Sequence, residues 1–218
     1  KGTSLTAGTH IWAYDPAGSA AFANTSQALT FTDISQGLVH SKDDVLYVGY
    51  HNSAGASGAR SFIASKNGAA AWSTTALTLP DNLIPISLSE YGNYLAIGCK
   101  PVSGEGKSVV FLWDRDSSVA TLAESIDWGE GSLEILEQVE GVLVGISVYN
   151  TNSLAGRPKI VFRQYAGGTP QVFRELIADA TNGSYSVTNQ KQKINQALYF
   201  LLNITIDGTT FRGVWKVG

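Results

Sequence analysis

The stretch Asp44-Val-Leu-Tyr-Val-Gly-Tyr50 returns three times, as Asn93-Tyr-Leu-Ala-Ile-Gly-Cys99, Gly141-Val-Leu-Val-Gly-Ile-Ser147 and Ala197-Leu-Tyr-Phe-Leu-Leu-Asn203. Aligned on Val45, Tyr94, Val142 and Leu198, the copies are spaced by 49, 48 and 56 residues. A second family follows about fifteen residues behind. It reads Ile11-Trp-Ala-Tyr-Asp15, Ser61-Phe-Ile-Ala-Ser65, Val110-Phe-Leu-Trp-Asp114, Ile160-Val-Phe-Arg-Gln-Tyr165 and Phe211-Arg-Gly-Val-Trp215. Its aromatics Trp113, Tyr165 and Trp215 keep the same step, which places them at equivalent points between packed sheets. Two families in step define a repeat, and a repeat dictates the fold before any single segment does.

Every copy is short, rich in Val, Ile, Leu and aromatics, and bounded by Gly, Asn, Asp or Ser, which is strand chemistry. Working outward, Ile34–His40, Ile84–Ser89 and Leu133–Gln138 supply a strand before each first-family copy. Ile84, Ile86 and Leu88 alternate with polar residues, as on a half-buried strand. Tight links join these strands at Lys42-Asp43-Asp44, Tyr91-Gly92-Asn93 and Val139-Glu140-Gly141. Ala28–Thr32, Trp72–Leu79, Val119–Ile126 and Gln171–Leu176 supply a fourth. Leu133, Leu136 and Val139 stand at helical spacing, but the repeat register assigns them to a strand. The polar segment Asn182–Asn195 reads as a longer irregular connection that absorbs the 56-residue step.

The expectation is therefore an all-β chain: one β-propeller-like domain over 1–218, built of four-stranded antiparallel blades with a period near fifty residues. The units run roughly 1–33, 34–82, 83–130, 131–180 and 181–218. The chain opens and closes on a third strand, so the ring is expected to be incomplete. Further blades beyond one or both termini, or a neighbouring chain at the open edge, would complete it. The chain begins at Lys1 without an initiator Met, as a processed product or part of something longer would. Trp113-Asp114 sits where the WD dipeptide of WD40 blades sits, without its Gly-His partner. Ser65-Lys-Asn67-Gly68-Ala-Ala-Ala-Trp72 resembles the Asp-box turn of sialidase-like propellers, with Asn for Asp.

Composition bounds the function. Fifteen Lys and Arg against 18 Asp and Glu give a net charge of −3, without the basic stripe that nucleic acid requires. No apolar run is long enough for a membrane-spanning helix, so no membrane insertion is expected. Cys99 is the one cysteine, so neither an internal disulfide nor a cysteine zinc site is available. His10, His40 and His51 are scattered and read as surface or hydrogen-bonded histidines; no metal site and no cofactor are expected. Gly145-Ile-Ser147-Val-Tyr149 begins like a nucleophile elbow, but lacks the second glycine and lies inside a strand. Acidic residues cluster between 114 and 140, and Asp127-Trp128-Gly129-Glu130 pairs two carboxylates with an aromatic. Carboxylates can perform acid–base work at a glycosidic bond, while an aromatic face stacks on sugar. Asp127, Trp128 and Glu130 are thus the candidate glycan-site residues, and a polar turn between blades is the plainer reading. Residues 1–156 carry 7 basic and 15 acidic groups, residues 157–218 carry 8 and 3, a split of −8 against +5.

The runs Val109–Ser117, Glu124-Ser-Ile-Asp-Trp-Gly-Glu-Gly131, Lys191-Gln-Lys-Ile-Asn195 and Leu198-Tyr-Phe200 resemble propeller-like proteins of tailed bacteriophages and viral metagenomes. Those are virion or tail-associated structural proteins, and the resemblance covers most of the chain beyond about residue 36. It implies a virion or extracellular location and a non-enzymatic structural or adhesive role. Its implied partners are other virion proteins, copies of itself, or a surface glycan. Carbohydrate binding or glycoside hydrolysis is the alternative.

Overall fold

The computed structural model describes residues 12–14, 22–24, 38–42, 45–58, 60–67, 73–104, 106–115, 124–149, 158–177 and 183–218. Among these every regular element is a β-strand, and all pairings are antiparallel. No helix of the described residues is long and apolar enough to cross a membrane. His10, Ala28–Thr32, Trp72 and Asp116 lie outside the described residues, as do 34–37 and 119–123 of two expected strands.

The chain divides into two compact units, Lys1–Asp81 and Asn82–Gly218. In the first, β1 (Trp12–Tyr14) pairs with β2 (Phe22–Asn24). A separate four-stranded sheet runs in order through β3 (Leu38–Lys42), β4 (Val45–His51), β5 (Ser61–Asn67) and β6 (Ser73–Leu79). Val48, Tyr50, Phe62, Ile63 and Leu77 are buried there, with the Tyr50 and Phe62 rings 5.2 Å apart. Asp81 tethers the loop before β5, its carboxylate accepting the Arg60 N–H at 2.9 Å.

Among the described residues the second unit holds three sheets. The first is β7 (Leu83–Tyr91), β8 (Tyr94–Pro101), β9 (Lys107–Trp113) and β10 (Glu124–Glu130), and the second is β11 (Ser132–Val139), β12 (Val142–Tyr149), β13 (Lys159–Tyr165) and β14 (Gln171–Ile177). The last has three strands, β15 (Ser184–Ile194), β16 (Ala197–Ile206) and β17 (Thr209–Val217). The middle sheet is buried on both sides. Leu133, Leu136, Leu143 and Tyr165 meet Ala96, Val110, Leu112 and Trp128 of the first sheet. Ile135, Val144, Ile146 and Phe162 meet Tyr185, Val187, Leu198, Phe200 and Leu202 of the last.

The segment with helical spacing is strand β11, and the reason is a bulge. Pairing with β12 slips between Leu133 and Ile135, so Glu134 is the extra residue. One extra residue inverts the alternation, which brings Leu133 and Leu136 to one side although they are three apart. β7 slips in the same way between Pro85 and Ser87. Ile84 and Ile86 therefore face the middle sheet, while Leu88, paired with Ile97, falls on the other side; the three do not share a face as their spacing suggests.

Three expectations are corrected by register. Residues 184–194, read as an irregular connection, form the eleven-residue strand β15. Its polar residues pair across a wide slip between Val187 and Lys191, and Tyr185 and Val187 reach the core. Hairpin closing pairs are Lys42↔Val45, Tyr91↔Tyr94, Val139↔Val142 and Ile194↔Ala197, so Ala197, not Leu198, is equivalent to the other three. On the third strands, Leu95↔Trp113, Leu143↔Tyr165 and Leu198↔Val217 are equivalent, which places Trp215 one side-chain repeat early. Trp113 and Tyr165 are buried; Trp215 is partly buried against the core.

Candidate functional site

β10 carries the carboxylates and tryptophan marked by the sequence. Its pairing with β9 slips between Asp127 and Gly129, leaving Trp128 as the extra residue. Gly129 and Gly131 take positive φ values of 91° and 97°, which a side chain would resist. The space is also closed: a Cβ on Gly131 would stand 2.6 Å from the Tyr149 ring, and one on Gly129 3.0 Å from the Arg163 guanidinium.

The bulge sends the trio in different directions. Trp128 is fully buried, its ring lying on Gly145 of β12 so closely that a Cβ there would be 2.5 Å away. Its Nε1 finds no acceptor among the described residues. The Trp128 face is therefore packed against protein rather than turned to solvent. Asp127 remains outside. Its Oδ2 accepts from Lys107 Nζ at 2.6 Å and its Oδ1 from the Gly129 N–H at 2.9 Å. The Lys107 hydrogen bond holds the Asp127 carboxyl below its usual range; partial burial opposes this, and the Gly129 N–H and the charges of Lys107 and Arg163 reinforce it. The same bond raises Lys107, with Asp127 and Glu130 adding their charge. Glu130 pairs with Lys107 across the strands. Arg163 donates from Nη2 to the Tyr149 hydroxyl at 2.9 Å. An exposed group of alternating charge thus gathers at this end of the sheet, and an ionised Asp127 there is an acceptor, not a proton donor.

A second polar group ties the three sheets of this unit together. Lys191 of β15 donates to Ser87 Oγ at 2.9 Å, to the Leu136 carbonyl, and to Glu137 Oε2 at 2.8 Å. Ser89 Oγ donates to Glu137 Oε1 at 2.8 Å and accepts the Gln138 N–H at 3.0 Å. Burial lowers Lys191 while Glu137 counters it; burial likewise works to raise Glu137, but Lys191 and Ser89 hold it below the ordinary value. Nearby, Lys100 reaches Glu134, the bulge residue of β11, at 3.3 Å. Glu134 also lines a recess of about 400 Å³ with Ser132, Val148, Tyr185 and Val187.

No family model matches this chain, and no curated protein matches it.

The remaining candidates have structural neighbours. His51 is buried, with Nδ1 2.7 Å from Ser61 Oγ, and His40 pairs with Tyr47 across β3 and β4. Among the described residues no group of three or more His, Cys, Asp or Glu side chains could hold a metal ion. Ser147 is buried inside β12, opposite Leu133 and Val161. Cys99 is fully buried, and burial pushes its thiol far up, which leaves it a poor nucleophile. Burial and a 3.0 Å hydrogen bond to Glu124 push the Tyr165 hydroxyl up to about 12.

Sequence reading found Asp127 and Glu130 but not Lys107, which arrives through strand register, or Tyr149 and Arg163, which arrive from the neighbouring sheet. Lys191 stood in a run marked only for its resemblance. The one usable signal for tight packing was glycine inside a strand: Gly98 receives Leu133 and Leu136, and Gly145 receives Trp128.

Proposed function

We propose that this chain is a non-enzymatic structural or adhesive β-propeller-type repeat, a bacteriophage virion or tail component that presents a binding surface. The observation that carries this reading is how its buried polar groups are used. Lys191, Glu137, Ser87 and Ser89 bond from sheet to sheet, stiffening a stack whose faces are already apolar. Such a stack is a scaffold, and its ligand is set by loops and edges rather than by the fold. The likeness of Val109–Ser117, Glu124–Gly131 and Lys191–Asn195 to phage structural propellers supports the particle location. Gold-labelled antibody against the chain is expected to decorate purified particles in electron micrographs. Label confined to the particle-free fraction would overturn the assignment.

A second reading, a glycan-binding or glycoside-hydrolysing propeller, draws on the exposed Asp127, Lys107 and Glu130 with the part-buried Arg163 beside them. Common glycosides are expected to survive incubation with the protein. Hydrolysis that disappears in both Asp127→Asn and Glu130→Gln, with the fold intact, would replace the structural reading with this one.

A further inference from the structure

Strand β17 is an edge: among the described residues its only neighbour is β16. The other four-stranded sheets fill this place with β6, β10 or β14. In β14, Val172, Phe173 and Ile177 are exposed, whereas β6 buries Leu77 and Leu79 and β10 buries Ile126 and Trp128, so this place accepts both an exposed and a buried strand. The unpaired N–H and C=O groups of an edge are a template for another strand. On β17, Phe211 is 58% and Val214 69% exposed. Phe211 lies on the same side as Trp215, while Val214 continues a strip with Leu201 and Tyr199 on the other.

We propose that β17 pairs antiparallel with β17 of a second copy, about a two-fold axis through Gly213. The sequence Thr209-Thr-Phe-Arg-Gly-Val-Trp-Lys-Val217 selects this register. A symmetric antiparallel pair must centre on one residue, and only Gly213, the midpoint, pairs all nine positions. That register sets Phe211 opposite Trp215 of the partner twice, a favourable cross-strand aromatic pair. It sets Arg212 opposite Val214 and Lys216 opposite Thr210, so no like charges are directly opposed; the two Arg212 side chains stand on the diagonal. One residue away, centring on Arg212 opposes two arginines, and centring on Val214 opposes Arg212 to Lys216. Arg212 and Lys216 thus guard the edge against the wrong registers. An isologous edge of this kind closes on itself as a dimer. The proposal stands whether or not the protein belongs to a particle.

Sedimentation velocity over a concentration series tests it on the full chain. The parent is expected to dimerise. Val214→Arg, which opposes Arg212 of the partner at two symmetric places, should weaken the dimer roughly tenfold or more. Val214→Arg with Arg212→Glu should restore it, because the same two places then hold opposite charges. Circular dichroism checks that both variants keep the parent fold. Gly213→Cys gives an independent readout: copper-catalysed air oxidation should join two chains through residue 213, reversibly by reductant. Thr209→Cys, facing Val217, should not crosslink. A parent that stays monomeric throughout, a double variant no tighter than the single one, or equal crosslinking at 213 and 209 would overturn the proposal.

Discussion

The middle and last sheets of the second unit follow one plan with different surroundings. At equivalent positions of their second strands, Val144 and Ile146 are 3% and 0% exposed, whereas Tyr199 is half-buried and Leu201 is 37% exposed. The opposite sides agree better, Leu143 and Ser147 matching the buried Leu198 and Leu202. The repeat therefore writes an apolar residue on both sides of each sheet, and packing decides which sides are used. A surface composed like an interior is what one expects of a stacking unit. It is also why the face of β16 and β17 reads in the sequence like core.

The largest test of this contrast lies where the last sheet is fastened to the others. Lys191→Met leaves the part-buried Glu137 carboxylate without its ion-pair partner, holding only the Ser89 hydroxyl, and takes the donor from Ser87 and the Leu136 carbonyl. Breaking one side of such a pair should cost about 3–5 kcal/mol, measured as a shift of the denaturation midpoint. Adding Glu137→Gln should recover part of that loss, because the stranded charge is gone. The pH dependence has a definite sign. Glu137 is held below its ordinary value, so its contribution is present above the carboxylate range and is lost as pH falls through its folded value. In Lys191→Met, protonating Glu137 removes the stranded charge, so the gap to the parent should narrow in acid. A gap that stays constant from neutral pH into the carboxylate range would show that the ion pair does not fasten the sheets.

The covered and open faces can be compared directly. Ile146→Ala removes buried atoms between two sheets and should cost about 2–5 kcal/mol. Leu201→Ala, at the equivalent position on the open side, should cost about 1 kcal/mol or less. Equal losses would mean that the face of the last sheet is covered in solution. Gly145→Ala probes the other boundary of the middle sheet, where Trp128 already occupies the place of a methyl group. Overpacking there should cost about 1–3 kcal/mol, visible in thermal melts. A neutral result would show that Trp128 can move aside.

How far the sequence carried this comparison depends on what each feature required. Strand existence followed from the repeat, because chemistry at Val45, Tyr94 and Val142 recurs at a fixed step. Strand parity did not. Glu134 and the residue shift in β7 each insert one position, and an insertion leaves no mark on composition while turning Leu136 and Leu88 to the other side. The same limit hid the site: Asp127 and Glu130 were visible as a pair, but the bulge at Trp128 decided that the ring points inward. Lys191 resembled any polar residue of a connection, since its significance lies in Glu137 and Ser87, 54 and 104 positions away. The alignment on Leu198 failed for a related reason. Four consecutive apolar residues offer no phase, and only the turn before them fixes which residue is first.

That turn supplies the smallest test. The middle sheet turns through Glu140 and Gly141, with φ values of 49° and 84°; the last turns through Asn195 and Gln196, at 47° and 66°. Two positive values in succession match the twist of a two-residue hairpin, and Gly is the natural second residue. The last sheet instead places Gln196, a residue with a Cβ, in the left-handed region, which costs roughly 1–2 kcal/mol against glycine's freedom there. Gln196 is exposed, so its side chain has little packing to lose. Gln196→Gly should therefore stabilise the protein by about 1 kcal/mol, less whatever the more flexible unfolded chain takes back. Glu140→Gly, made where the following glycine already relieves the turn, should gain less. The two denaturation midpoints decide it. If Gln196→Gly destabilises, the strain in the last hairpin is offset by contacts of Gln196 itself, and the two turns differ in packing rather than in backbone.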